Sequence, residues 1–487
     1  MPHMRPFRSL VGLLLMLLSH TAFAQQTLWT IFNTSNSDIA GNNILALTTD
    51  AKGNKWVGTN LGLCRLTGRT WTDYTMFNKK LKDQFINCLT TDKEGNLWLG
   101  TDDYGVMKFD GVHWTEYTAE TKRYGMKFIR EITIDRQGTL WIGVTLGGLL
   151  SFDGTHWQKY TQQSSSLVSD FIHCVTIDKR GRKWIGTNEG ISLLNGEQWS
   201  TFTTTNSSLP HNNVPSIVEA ADGSFWMGTL GGLAHYDGSR WTTYTVDNSP
   251  LPSDQVNDLA IDEGGLLWIA TAKGVASFDG HKHWQTFTPA NSPIPQASVN
   301  CIAIDAQGSK WFGTDSRGLV RFSGQSIAGT VRDERGTPIE GITLSIGNAT
   351  VTTDKEGRYT AHLPVGSTFV ARPVSEGRSA TPESRQYSSL SRSLLNEDYT
   401  LSSGMEAQGR STEKITVNPF LSQGYITISM ESEVAEVEFV GSDGRSVRTL
   451  PQYRNGQRIT ISKMPKDSYT LHIRTNKGEK TLRFNLK

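Results

Sequence analysis

Residues 178–187 read DKRGRKWIGT, and the same frame returns as DAKGNKWVGT at 50–59, DKEGNLWLGT at 92–101 and DAQGSKWFGT at 305–314. The shared pattern is D-x-x-G-x-x-W-x-G-T. Its tryptophan belongs to a ladder of Trp56, Trp98, Trp141, Trp184, Trp226, Trp268 and Trp311, with every step 42 or 43 residues long. A second ladder with the same steps holds Trp29, Trp71, Trp114, Trp157, Trp199, Trp241 and Trp284, so all 14 tryptophans are used. The glycine of the frame is present in all seven copies, and the aspartate in six, with Ala220 in the fifth.

Each copy reads as four short strands. Strand a is the apolar stretch before the aspartate, such as Ile172 to Ile177, and strand b carries the first tryptophan. Strand c follows the next glycine, and strand d carries the second tryptophan in W-x-x-[YF]. Glycine supplies the positive-φ turn positions, and Asp or Asn satisfies the turn backbone. A period of this length with four strands per unit predicts a β-propeller blade rather than a helical solenoid.

The seventh copy stops at Phe322 without a strand d, while Leu28-Trp29-Thr30-Ile31-Phe32 stands alone near the start of the chain. Adding that stretch to the seventh sheet covers its open edge and closes the ring. The expected fold is therefore all-β, a seven-bladed β-propeller over residues 25–325, followed by two small β-sandwich domains.

These motifs resemble the two-component regulator propeller repeats of large bacterial sensor proteins, and the resemblance covers residues 29–322. In those sensors the propellers are periplasmic and precede a further β-domain, a membrane helix and a histidine kinase. The residues after the repeats read as neither a kinase nor a membrane helix, so the resemblance is expected to carry over the repeat type and not the signalling role.

Two further stretches follow. Residues 326–401 are similar to the carboxypeptidase regulatory-like domain. The similarity rests on Gly329, Val331, Asp333, Gly336, Pro338, Ile339 and Gly341, then Thr353, Asp354, Gly357 and Tyr359. That resemblance implies a β-sandwich without peptidase chemistry. Residues 402–413, SSGMEAQGRSTE, read as a polar linker. Residues 414–487 resemble the C-terminal sorting domain of the type nine secretion system of Bacteroidetes, through Asn418-Pro419, Gly444-Arg445, MPKDSYTLHI and the terminal lysine. The opening here is VNP where the family has PNP, and Asp467-Ser468 replace its glycine. The resemblance implies an address read by export machinery.

At the other end, Arg5 and Arg8, the apolar run Leu10 to Leu18 and Ala22-Phe23-Ala24 predict a cleaved signal peptide over residues 1–24. The run is too short to span a bilayer. The expectation is a secreted or surface-displayed protein. The chain has 487 residues, is 37% hydrophobic and 20% charged, and has a formal net charge of +1, which points to neither nucleic acid nor membrane as a partner. Cys88, Cys174 and Cys301 recur at one repeat position in blades that are not neighbours, so small buried thiols are expected rather than disulfides.

Residues shared by all blades are scaffold, so function is sought where one blade departs from the rest. The d-to-a and b-to-c loops open on one face. Most d-to-a loops are bland. The one entering blade two carries Lys79, Lys80 and Lys82, and the one entering blade three carries Lys122, Arg123, Tyr124, Lys127 and Arg130. Tyr104 lies in the b-to-c loop between them, and His173 is placed to reach the same face. A basic patch with aromatic neighbours suits an anionic glycan or protein partner.

Four residues before the turn aspartate the blades carry Ala46, Cys88, Glu131, Cys174, Ser216, Asp258 and Cys301. Inward acids with raised pKa could serve as general acid or base, although water in the channel, Arg130 or a backbone group would equally hold them. No G-x-S-x-G, H-E-x-x-H or phosphate loop is present, and no set of histidines has metal-ligand spacing, so no cofactor or metal is expected. The leading reading is a non-enzymatic extracellular binding propeller. A propeller-fold lyase or glycoside hydrolase, or a structural part of a surface complex, are the alternatives.

Overall fold

The computed structural model describes residues 28–74, 81, 83–374, 378–406, 408–409, 414–420 and 424–486. The expected signal peptide, together with Lys79, Lys80 and Lys82, lies outside the described residues. The chain divides into two compact units. One runs to Gln325 and includes Ser391–Ser393; the other holds Ser326–Leu390 and Leu394–Lys487.

Among the described residues of the first unit, seven four-stranded antiparallel sheets follow one another. In the fourth, strands a to d are Ile172–Ile177, Lys183–Thr187, Ile191–Asn195 and Gln198–Phe202. The a strands touch in a closed cycle, with Val299–Ile304 of the seventh sheet meeting Ile44–Thr49 of the first. Asn300 Nδ2 donates across that junction to the Ile44 carbonyl at 3.0 Å. Trp29–Phe32 is the outer strand of the seventh sheet, with Trp29 opposite Phe322 and Phe32 opposite Leu319. The ring therefore closes as its sequence pattern predicts.

The repeated residues explain themselves. Asp178 Oδ1 accepts the N–H groups of Arg180 and Arg182 at 2.9 Å each, which holds the a-to-b turn, and Gly181 sits in it at φ 80°. The other oxygen accepts Trp184 Nε1 at 3.1 Å. The same indole bond recurs in blades one, two, three, six and seven. In blade five, where Ala220 removes the carboxylate, His235 lies against the Trp226 ring at 4.2 Å instead. The second ladder packs within the sheet: Phe109 on Trp114, Phe152 on Trp157 and Phe278 on Trp284 have ring centroids 4.5, 4.3 and 4.0 Å apart. Buried indoles with their N–H groups satisfied supply much of the apolar burial.

Lysine before the tryptophan latches one blade to the preceding one. Lys55 reaches Asp305 at 3.2 Å, Lys183 reaches Asp135 at 4.0 Å, and Lys310 reaches Asp262 at 3.2 Å. Each ammonium also lies over the neighbour's indole, 4.6 to 5.5 Å from the ring centre. Strand b glycine answers a different need. A Cβ on Gly313 would lie 2.5 Å from Cys301 Sγ and 2.6 Å from Ile44 Cγ2, so only glycine lets the next blade approach.

In the second unit, a sheet runs in the order Arg358–Pro364, Gly324–Asp333, Tyr399–Glu406, Thr416–Phe420, Tyr425–Ser429, Ile459–Thr460. Residues 402–406, expected to belong to a linker, instead continue strand Tyr399–Glu406. Met405 pairs with Val417, which puts both C-terminal segments on one shared sheet. Composition suggested a linker there, but backbone hydrogen bonds form a strand regardless of side-chain polarity. Each segment keeps its own core, one around Tyr359, Phe369 and Tyr399 and the other around Phe439, Tyr453 and Tyr469. Strand Ser446–Arg454 carries Pro451 and lies at a sheet edge, where a missing N–H costs no ladder bond.

Candidate functional site

The d-to-a and b-to-c loops share a face because strands a and b run antiparallel, with the start of a beside the end of b. Three repeat positions at the start of strand a build the mouth of the central channel. The residue before the strand is Asn43, Phe85, Phe128, Phe171, Asn213, Gln255 or Ser298 around the ring. The second strand residue is Leu45, Asn87, Arg130, His173, Pro215, Asn257 or Asn300. The third is the small-or-acidic set that contains Glu131 and Asp258.

Phenylalanines at the first position fall together on blades two, three and four, with Arg130 and His173 at the second position of blades three and four. Phe85, Phe128 and Phe171 occupy equivalent places on these adjacent blades. Phe85 is 36% exposed and Phe128 48%, and next to them stand Tyr104 at 37% and Leu146 at 79%. Phe128 ties the group together: its N–H donates to the Asp102 carbonyl at 2.8 Å, and its own carbonyl accepts Thr145 N–H at 3.1 Å. Phe128 has φ 54° and Leu146 φ 58°, left-handed conformations that bulky residues adopt at a cost. Both side chains are exposed. The repeat comparison applied one residue before strand a would have found the three phenylalanines; the sequence reading compared loops and the channel position only.

The expected basic residues divide. The loop entering blade three forms a short helix, α1 (Thr118–Tyr124), ended by Gly125 in the left-handed region. Thr121 Oγ1 donates to the Tyr104 carbonyl at 3.2 Å, so the helix rests on the b-to-c loop as the sequence placed it. Lys122 and Arg123 are exposed. Arg123 lies over the Tyr124 ring at 5.2 Å, while Tyr124 stacks on Trp157 at 5.9 Å and its carbonyl accepts Lys159 Nζ at 3.0 Å. Tyr124 is thus a packing residue between blades. Lys127 pairs with Asp103 at 3.2 Å, and Asp83 and Asp102 add negative charge nearby, so the loop is less basic than its lysines suggested.

Arg130 is exposed and has no ion pair among the described residues. It lies close enough to His173 to act on its titration: burial, then the Arg130 charge, pull the imidazole down to about 4. His173 lies 5.0 Å from the Phe171 ring, and its Nε2 is buried without a hydrogen-bond partner. It stays neutral at working pH with one nitrogen unused.

Below the mouth, the channel position forms a belt. Ile302 N–H donates to Asp258 Oδ2 at 2.8 Å, Leu259 N–H to Ser216 Oγ at 3.2 Å, and Cys174 takes the Ile217 N–H. Each bond runs from one blade's inner strand to its neighbour, which is why the position favours a small acceptor. Asp258 also accepts Ser216 Oγ at 2.9 Å and is pushed up to about 6 by burial. Glu131 accepts only its neighbour Ile132 N–H at 3.2 Å, and burial and then the Asp258 charge raise it to about 8. Although the two acids come from blades three and six, they feel each other across the channel. All four cysteines are free thiols, with Cys64, Cys88 and Cys174 buried. No metal-binding group of three or more His, Cys, Asp or Glu exists among the described residues.

A family model described as two component regulator propeller matches residues 80–103 and 208–231. No curated protein sequence matches the chain. Among solved structures, the extracellular domain of the putative hybrid two component system BT3049 from B. thetaiotaomicron is similar at 16% identity and TM-score 0.54. The match covers 94% of this chain and 57% of that one, so this chain spans little more than half of the BT3049 domain. PorZ, a surface component of the type-IX secretion system of Porphyromonas gingivalis, matches at 14% identity and TM-score 0.50 over 93% of this chain and 60% of its own. Virginiamycin B lyase from Staphylococcus aureus matches at 16% identity and TM-score 0.50, over 60% of this chain and 98% of its own. At these identities the likeness shows the fold alone. No described helix is long and apolar enough to cross a membrane.

Proposed function

We propose that this chain is an extracellular or surface-displayed binding module whose propeller holds a ligand at the loop face of blades two to four. One observation carries the reading: at a repeat position where the other four blades carry Asn43, Asn213, Gln255 and Ser298, three neighbouring blades present Phe85, Phe128 and Phe171, with the exposed Arg130 two residues after Phe128. A contiguous apolar surface with a charged rim is the usual mark of a recognition site. The similar propellers named above include the extracellular domain of a putative hybrid two component system and a surface component, which supports the placement. The C-terminal segment would then serve export, with the signal peptide taking the chain out of the cytoplasm.

The decisive experiment immobilises the full chain and screens it against glycan and peptide arrays, in parallel with Arg130→Ala and Leu146→Asn. Ligands retained by the wild type and lost by both variants support the reading. Ligands held equally by all three place recognition elsewhere and reject it.

A second reading has its own observation. Burial and then the Asp258 charge raise Glu131 to about 8, so it holds a proton near neutrality at the channel position, as a general acid must. Release of an altered product from a bound ligand, abolished by Glu131→Gln, would favour a lyase or hydrolase instead.

A further inference from the structure

We propose that the ligand at this face is an extended, apolar peptide segment of a second protein carrying an acidic side chain, rather than a saccharide. The inference rests on the binding reading above and narrows its ligand.

Three features of the surface select for a peptide. Its exposed rings are mainly phenylalanines, which offer apolar area without the hydroxyl or N–H that sugar-binding platforms use to hold ring hydroxyls. Leu146 stands out at 79% exposure, and an aliphatic side chain cannot stack on a sugar face but packs well against another side chain. The phenylalanines stand at one per blade, immediately before the inner strands of three adjacent blades, and so offer a row of apolar contacts to an extended chain.

Charge gives the complement. Arg130 is exposed and unpaired among the described residues, while Lys127 is occupied by Asp103. A guanidinium takes a carboxylate in a two-pronged, charge-assisted bond.

The left-handed backbone at Phe128 and Leu146 supports the same assignment. Both side chains are exposed, and the backbone of Phe128 is tied to the neighbouring loops through Asp102 and Thr145 before any partner arrives. A backbone already held in place loses little freedom on association.

The test selects a random phage-displayed peptide library on the full chain, then measures synthetic peptides by fluorescence polarisation. Selected peptides should combine aromatic or aliphatic residues with Asp or Glu. Leu146→Asn should weaken them about tenfold, since a central apolar anchor is worth more than about 1 kcal/mol. Asparagine tolerates φ 58°, so that variant keeps the backbone. Arg130→Glu should discriminate against the acidic peptide and accept its Lys-substituted form, a swap that loss of folding cannot produce. Peptides without acidic preference, or with affinity unchanged in both variants, overturn the inference. Glycans captured in place of peptides, and lost in Arg130→Ala, overturn it while leaving the binding reading intact. No capture by either class overturns both.

Discussion

Trp29 lies directly opposite Phe322 in an antiparallel register, and the two rings pack at a tilt with centroids 4.5 Å apart. Trp29 also meets Phe287 of blade six edge-on at 5.4 Å, so the first described strand binds two blades at once. The ring has no covalent closure. Its seam is this one short strand, and its strength depends on the indole.

Trp29→Ala should therefore destabilise the propeller by about 3–5 kcal/mol, the cost of deleting a large buried aromatic. Trp71, at the equivalent ladder position but half-buried, should cost less. Urea unfolding of the two variants checks this; equal midpoints would show that the seam is no weaker than any other sheet edge.

Asp305 supports four groups: the N–H groups of Gln307 and Ser309 at 3.1 and 2.9 Å, Trp311 Nε1 at 2.9 Å and Lys55 Nζ at 3.2 Å. Asp305→Ala leaves Lys55, itself mostly buried, without its counter-charge, at a cost of about 3–5 kcal/mol. Adding Lys55→Met should recover part of the loss. A double variant as unstable as the sum of the singles would mean that the latch between blades one and seven carries no coupling.

The raised pKa of Glu131 sets a pH slope. Its folded value of about 8 lies above the ordinary 4.5, so the folded state holds the proton more tightly. That contribution is complete below about 4.5 and is lost as pH rises through about 8, which makes stability fall over this window. Glu131→Gln keeps the shape without the charge and should flatten the decline. Melting temperatures of both proteins between pH 5 and 8 test this, with parallel curves counting against the assignment.

His173 behaves in the opposite sense. Its folded value of about 4 lies below 6.5, so the stability it contributes is present above 6.5 and is lost as pH falls through about 4. Burial is the main cause and the Arg130 charge the second, so Arg130→Ala should move the imidazole titration upward without restoring it to 6.5. Proton NMR of the ring reads this directly. An unchanged midpoint would separate the two side chains.

The channel belt shows where the sequence was legible and where it was not. Cys88, Cys174, Ser216 and Asp258 were recognisable as one repeat position, and of the thiols expected to be buried Cys88 and Cys174 are, while Cys301 is part-exposed. Their shared task, accepting the neighbouring strand's N–H, was not recognisable, because it depends on a donor about one full repeat further along. Likewise the lysines of the two loops stood out by composition, but Asp103 opposite Lys127 and Trp157 beneath Tyr124 appear only when the blades are side by side.

The sequence by itself determined the repeat, the four strands of each blade and the strand that closes the ring. Turn bonds, indole–carboxylate pairs and strand alternation all act within a few residues, so they are written into the local pattern. Only the tertiary structure decided which side chains share a surface. It brought Phe85, Phe128, Phe171, Arg130 and His173 from three blades to one mouth, paired away some of the expected cations, and joined the two C-terminal segments on one sheet. Those outcomes come from packing between distant segments, where burial and charge depend on neighbours that no local pattern names.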